Sequence, residues 1–349
     1  MLDRMIKHED FLSLVDELAR KRRIVGPVAR KDRHFYEEVE DAGRLDLSFK
    51  YCVYSPRTFL FPPVETLFKY DQKDGGFSAE PVLGDRPTAL IGVHPCDIHA
   101  IRLLDRVFDK DHRDEHYLAK RRETMIVGMD CPQPCVEGAY CVDMQTHEAT
   151  AGFDVMLYPL GGQAGEKPRY GVVFGTPAGR EWMLYTRRST VPTAADERDL
   201  DQYQRTKAAA FRRVLKTTAD GLPALLDRSY DSLLWEATAR RCYSCGSCNL
   251  SCPTCYCFNI FDEMDITLTS GQRKREWDGC QLTNFAIVAG AHNFRPKAAS
   301  RLRHRIYRKA KWIREQTGLA GCVGCGRCNR ACTAKISTVE IYNQLAEEA

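Results

Sequence analysis

The chain has 349 residues, a formal net charge of +4, 44% hydrophobic residues and 28% charged ones. That balance describes a globular protein with ample core and room for two domains, and it excludes a disordered chain. No apolar run approaches the roughly 18–20 residues needed to cross a membrane. Met1–Arg22 is charged throughout and lacks the apolar segment of a signal peptide, and none follows Lys21-Arg22-Arg23, so export by either route is not expected. The expected setting is cytoplasmic. There thiols stay reduced, and the sixteen cysteines point to metal or redox chemistry rather than disulfides.

In chain order, Ser55-Pro-Arg-Thr-Phe-Leu-Phe-Pro-Pro-Val-Glu65 is too proline-broken for a central element and predicts an ordered loop or sheet edge. Thr88–His94 is a short apolar run suited to a buried strand, broken at Pro95-Cys96-Asp97. A helical pattern follows, with Ile98, Ile101, Leu104 and Phe108 on one face and Asp97 as its N-cap. Thr124–Asp130 reads as a second buried strand, and the order strand, helix, strand predicts a right-handed parallel crossover. Phe153–Leu157 and Tyr170–Phe174 are further strands, separated by a Gly-rich turn around Gly161–Gly165. The polar stretch Ser189–Asp201 leads into helices over Gln202–Thr218 and Leu222–Arg240, the second delivering the chain into Cys242. Helical character returns over Ala286–Ala291 and Ala298–Gln316. The expected fold is an α/β amino-terminal domain over 1–220, followed by a mainly α-helical two-cluster ferredoxin-like domain over 221–349.

The strongest motif lies in that second region. Cys242-x2-Cys245-x2-Cys248-x3-Cys252-Pro253 recurs as Cys322-x2-Cys325-x2-Cys328-x3-Cys332. Three thiolates at every third residue wrap a loop round three corners of a [4Fe-4S] cubane. The fourth, launched just past the loop, points at the neighbouring cluster. The spacing predicts two clusters, one held by Cys242, Cys245, Cys248 and Cys332, the other by Cys322, Cys325, Cys328 and Cys252. A structural zinc site needs only two CxxC pairs and would leave the rest of each run unused. Between the runs, Arg295, Lys297, Arg301, Arg303, Arg305, Arg308, Lys309, Lys311 and Arg314 follow one another with no carboxylate among them. Such a stretch is either a solvated helix face or a segment that offsets cluster charge or docks an acidic subunit. No nucleic-acid module accompanies it.

Eight cysteines lie outside the runs. Cys96 follows the first strand, while Cys131, Cys135 and Cys141 follow the second, and loops after adjacent parallel strands emerge at one edge. Four thiolates converging there would hold a third cubane. The alternative is a set of buried thiols that act as small hydrophobes or form a reducible thiol cluster. Cys255, Cys257 and Cys280 are one ligand short of a closed set. A zinc site completed by His292, redox-active thiols, or packing around the adjacent cluster are the readings open to them, packing being preferred. Cys52 stands alone as a buried thiol. His94, His99 and His292 are each more simply structural than ligating. No GxGxxG, P-loop, Ser–His–Asp set or HExxH helix is present, so the sequence supports no isolated catalytic activity.

Several of these segments carry a family resemblance. Pro95-Cys-Asp-Ile-His-Ala-Ile-Arg-Leu-Leu-Asp105, Cys131-Pro-Gln-Pro-Cys135, Tyr140-Cys-Val-Asp-Met144, Cys252-Pro-Thr-Cys-Tyr-Cys257, Arg275-Glu-Trp-Asp-Gly-Cys280 and Ala289-Gly-Ala-His-Asn-Phe-Arg-Pro296 are its elements. They resemble the iron–sulfur β subunit of cytoplasmic NAD(P)-linked nickel–iron hydrogenases (sulfhydrogenases) and the corresponding iron–sulfur subunit of anaerobic sulfite reductase. The resemblance runs from about Ser55 to Cys332. Ala139-Tyr140-Cys141 departs from a tighter CxC in many members, Gly290-Ala291-His292 from the usual Gly-Gly-His, and Thr333 from a common proline. The resemblance implies a non-catalytic relay that passes single electrons between a flavin/NAD(P) subunit and a nickel–iron catalytic subunit. The siroheme subunit of a sulfite-reducing complex is the alternative acceptor, and an iron–sulfur redox sensor is an alternative of another class.

Overall fold

The computed structural model describes residues 1–72, 76–84, 86–161 and 168–348. Its strands are β1 (Arg4–Lys7), β2 (Arg23–Arg30), β3 (Arg33–Val39), β4 (Val64–Asp71), β5 (Ser78–Pro81), β6 (Thr88–Val93), β7 (Thr124–Met129), β8 (Val155–Leu160), β9 (Arg169–Phe174), β10 (Phe258–Met264) and β11 (Ser270–Trp277). The apolar runs expected to be central strands are β6 and β7, buried at every position. Strands covered on both faces read as continuous hydrophobic runs because neither side meets water. They sit in a seven-stranded sheet of order β1-β9-β8-β7-β6-β2-β3, parallel across β2, β6, β7 and β8 and antiparallel towards both edges.

Alternate residues of these strands serve opposite layers. Ala89, Ile91, Met125 and Val127 pack with Phe11, Leu14 and Val15 of the His8–Ala19 helix. Leu90 and Ile126 face the other way, onto Ile98, Ile101 and Leu104 of the Pro95–Phe108 helix. Each fully buried aliphatic side chain contributes about 1.5–3 kcal/mol, so these two layers carry the amino-terminal fold. β6 and β7 are parallel neighbours with the Pro95–Phe108 helix between them in sequence, as a parallel crossover requires. Its helix starts earlier than expected, however: His94 is the N-cap, Pro95 the first helical residue, and Asp97 lies inside the first turn with its carboxylate committed elsewhere. Of the Gly-rich turn at Gly161–Gly165, residues 162–165 lie outside the described residues.

The helix expected over Gln202–Thr218 runs instead from Ala194 to Ala210, because Thr193 and Asp196 form a reciprocal capping box inside the polar stretch. The helix expected over Leu222–Arg240 breaks into Leu222–Arg228 and Leu234–Ala239. The Ser229 carbonyl freed at the break accepts from the Trp235 indole at 2.8 Å. These helices, Ala298–Tyr307 and Thr338–Glu348 share one apolar cluster built on Leu226, Trp235, Leu302, Ile306 and Tyr342.

The carboxy-terminal region is not built of helices alone. β10 and β11 form a hairpin between the cysteine runs, and β11 pairs with β4 from the amino-terminal half in a sheet of order β10-β11-β4-β5. Sequence periodicity missed it because β10 is exposed or half-exposed along its whole length and offers no apolar alternation. Cross-strand charges hold it instead: Arg273 grips Asp262 at 2.8–2.9 Å and Lys274 meets Glu263 at 2.6 Å. Among the described residues no helix is long and apolar enough to cross a membrane.

Arg275 fixes the hairpin to the rest of the chain. It is 2% exposed, pairs with Glu65 of β4 at 2.5 Å and with Asp114 at the head of the Glu115–Arg122 helix, and Lys120 also reaches Glu65 at 2.7 Å. Replacing it removes the counter-charge of the half-buried Asp114 and one of the two on Glu65, where Lys120 remains. We expect Arg275→Met to lower unfolding stability by about 3–5 kcal/mol, measured by anaerobic denaturant titration.

Candidate metal centre

The two cysteine runs fold alike. Each takes left-handed backbone at two equivalent positions, Ser244 (φ 52°) and Gly246 (φ 75°) in the first loop, Gly324 (φ 63°) and Gly326 (φ 73°) in the second. Turns of this kind aim successive amides into the loop, where they face anionic groups. The Gly324 amide donates to Cys322 Sγ at 3.4 Å and the Ile336 amide to Cys332 Sγ at 3.3 Å. A short helix follows each loop, Ser247–Leu250 and Arg327–Ala331, and the two pack against each other. That pairing brings the fourth cysteine of each run to the other run. Cys242, Cys245 and Cys248 line one small cavity together with Cys332. Cys252 lies beside Cys322, Cys325 and Cys328: burial raises the Cys322 and Cys325 thiols, and the neighbouring Cys252 and Cys328 sulfurs add to the rise. Burial also pushes Cys248 up to about 12.

Thiols so hard to ionise need compensating positive charge, and the basic stretch supplies it. Arg301, Arg305 and Lys309 are spaced four apart and are only 4–5% exposed. Arg305 donates to the Cys248 carbonyl at 3.4 Å, and its buried Nε has no hydrogen-bond partner among the described residues. Burial alone would lower the Arg305 guanidinium, but the Cys248 and Cys328 sulfurs hold it above its ordinary value. Lys309 behaves likewise beside Cys252 and Cys255, and donates to Thr254 Oγ1 at 2.6 Å. A donor buried among sulfurs with nothing to satisfy it is costly, and a thiolate-ligated cluster is the anionic group that would satisfy it. The residues present therefore fit a pair of [4Fe-4S] clusters. The segment is not simply a solvated face: three of its cations are turned inward.

Cys96, Cys131, Cys135 and Cys141 do converge, lining one cavity with His94 and Arg327. β6 and β7 are adjacent and parallel, so His94 and Cys96 leave one edge beside Cys131. The Cys131 and Cys135 sulfurs are 3.8 Å apart, and His94 Nδ1 is 3.5 Å from Cys135 Sγ. The loop through Cys131–Cys141 is pressed onto the second run. Tyr140 N–H donates to the Gly324 carbonyl at 2.7 Å, and the Tyr140 hydroxyl lies 3.0 Å from Cys322 Sγ. A Cβ on Gly324 would stand 2.6 Å from Tyr140 and Cys141 backbone atoms.

Of the remaining cysteines, Cys255 and Cys280 share one buried amide, Asn249 Nδ2, at 3.7 and 3.5 Å. Cys257 enters the foot of the hairpin, its carbonyl accepting from Asp278 N–H at 3.0 Å. His292 is exposed against Phe294, and His99 Nε2 lies 2.7 Å from the Glu148 carbonyl. Cys52 is fully buried, and its carbonyl accepts from Arg327 Nε at 3.1 Å. Arg327 itself escaped the sequence analysis. The only signal was a charged residue inside a ligand loop of otherwise small side chains, with Asp97 waiting far upstream.

The paired loops and crossed fourth cysteines define a dicluster iron–sulfur protein, and residues 241–336 match the family described as 4Fe-4S dicluster domain. Over 340 residues, 97% of each chain, the protein is 32% identical to sulfhydrogenase 2 subunit beta of Pyrococcus furiosus. The chain belongs to the sulfhydrogenase β-subunit family.

Gly324 gives this geometry a direct test. Gly324→Ala combines a left-handed backbone with steric overlap on Tyr140, and we expect it to cost more than about 1 kcal/mol in thermal or denaturant unfolding. The same change at Gly318, left-handed but with open space around its Cβ position, should cost less.

Proposed function

We propose that this chain is the electron-transfer subunit of a cytoplasmic hydrogenase-type complex, relaying single electrons between a flavin/NAD(P) subunit and a nickel–iron catalytic subunit. The observation that carries this reading is the cavity in which Cys332 joins Cys242, Cys245 and Cys248. Crossed ligation is the signature of two-cluster ferredoxins. Cys242, Cys245, Cys248 and Cys332 would hold one [4Fe-4S] cluster, and Cys322, Cys325, Cys328 and Cys252 the other. A bound cluster of this kind takes up and returns one electron without changing its ligands. The chain's own residues hold the thiolates in place, supply buried positive charge and limit access of water. Cys245 is exposed, which leaves the first ligand set open to the surface where a partner's centre can approach.

Crossed ligation makes a prediction that simple pairing does not. Cys332→Ser should perturb the cluster of the first loop, and Cys252→Ser that of the second, read by anaerobic iron analysis and electron paramagnetic resonance. If each change disturbs the cluster of its own run instead, the assignment fails. Native anaerobic purification should bring down flavin and nickel–iron subunits with this chain. A siroheme subunit would redirect the reading to sulfite reduction, and a solitary chain would sink the relay.

The buried cations lead to a second expectation. Arg305→Met removes a positive charge beside both ligand sets, so reduction, which adds a negative charge, becomes harder. One charge at a few ångströms and an effective dielectric near 20 shifts a potential on the order of 100 mV, downward here. A redox titration monitored by electron paramagnetic resonance checks both sign and size.

A further inference from the structure

We propose that His94, Cys131, Cys135 and Cys141 hold a single tetrahedral metal ion, a site separate from the two clusters and independent of the relay reading. The distances decide between one ion and a third cubane. Around one zinc-type ion, with metal–sulfur bonds near 2.3 Å and metal–nitrogen bonds near 2.0–2.1 Å, tetrahedral angles place two sulfurs about 3.8 Å apart and a sulfur and a nitrogen about 3.6 Å apart. The structure has Cys131 and Cys135 sulfurs 3.8 Å apart and His94 Nδ1 3.5 Å from Cys135 Sγ. The ligand atoms of all three residues lie within 4.8 Å of one another. Thiolates on separate corners of a cubane bind separate irons and stand farther apart than this.

The surroundings suit a closed structural site. His94 is 4% exposed and Cys131 6%. The His94 ring is stacked on Phe49, centroids 4.4 Å apart and planes 13° from parallel, which holds its orientation. Two cysteines remain for the fourth position. Cys141 belongs to the same apolar cluster as Cys131 and Cys135, under Phe211, whereas Cys96 packs with Ala100, Val323 and Cys325 on the side of the second run. Cys141 is therefore assigned to the fourth position; it stands outside the group of three whose ligand atoms already lie within 4.8 Å of one another, and its approach to the ion would complete the Cys3His set of closed structural sites. The ion would staple the Cys131–Cys141 loop to the end of β6. That loop covers Gly324 and brings the Tyr140 hydroxyl to Cys322, so the site braces the floor of the second cysteine loop.

The test is metal analysis of the full chain, purified anaerobically, combined with zinc-edge X-ray absorption. The expected result is one zinc per chain beside about eight irons from two cubanes, with three sulfurs and one nitrogen around the zinc. Cys135→Ser should lose the zinc at least tenfold while keeping its iron. His94→Cys should keep the zinc and convert its shell to sulfur alone, which separates loss of a ligand from loss of the fold. A ninth iron with the spectrum of a lone tetrahedral thiolate site supports the same site with a different ion. About twelve irons, falling by about four in Cys135→Ser, would establish a third cubane and overturn the proposal. Full iron with neither zinc nor a ninth iron would overturn it too. Loss of the eight irons with the zinc retained would count against the cluster reading alone.

Discussion

The pairing of Asp97 with Arg327 holds the two halves of this protein in register. Asp97 is fully buried and Arg327 4% exposed, and two parallel hydrogen bonds of 2.7 Å join them. The third guanidinium arm takes the Cys52 carbonyl. A buried ion pair adds little net stability, because desolvating both charges offsets most of their attraction, but it tolerates no other partner. Its value is positional. Asp97 sits in the first turn of the helix that leaves β6, at the edge where parallel strands deliver their loops, and Arg327 begins the short helix after Cys325. Whatever places the second cysteine loop must place it against that edge.

From this contact the rest of the arrangement follows. With Arg327 anchored, Gly324 and Gly326 come within contact of the loop through Val136–Cys141, where no larger residue fits. Tyr140 then reaches Cys322, and the cysteines after β7 meet those after β6. The two short helices pack together, and Cys332 comes to the cavity of Cys242, Cys245 and Cys248. The hairpin of β10 and β11, docked on β4 through Arg275, closes the structure around the insertion between the runs. An α/β sheet and a pair of metal loops thus behave as one frame.

The two kinds of signal in the sequence were not equally legible. Short-range spacing carried the cysteine runs, and buried strands such as β6 and β7 announced themselves as unbroken apolar stretches. Convergence of Cys96 with Cys131 also followed, because parallel-strand topology dictates which loop ends meet. What escaped were features defined only by long-range partners. β10 and β11 are held by cross-strand charges rather than an apolar face. The Asp97 carboxylate looks like a helix cap until Arg327, 230 positions away, is placed against it. The basic stretch was visible as composition, but its inward face was not: Arg301, Arg305 and Lys309 differ from Arg303 and Lys311 only in the side of the helix they occupy.

The repeat of the cysteine pattern conceals an asymmetry that matters for the proposed relay. Both loops share their left-handed turns, yet their surroundings diverge. In the first loop Cys245 is exposed, its thiol lowered by hydrogen bonds from Ser247, and the adjacent Tyr243 is 72% exposed. In the second, Cys325 is raised by burial, Arg327 stands against it, and Tyr140 and Val323 exclude water. Cluster potentials respond to exposure, local charge and hydrogen bonds to sulfur, and all three differ here between two sets of chemically identical ligands. Identical ligands in identical settings would give two equal wells with no preferred order. In the proposed relay, any difference in potential between the two clusters would therefore come from the environment of the thiolates rather than from the ligands themselves.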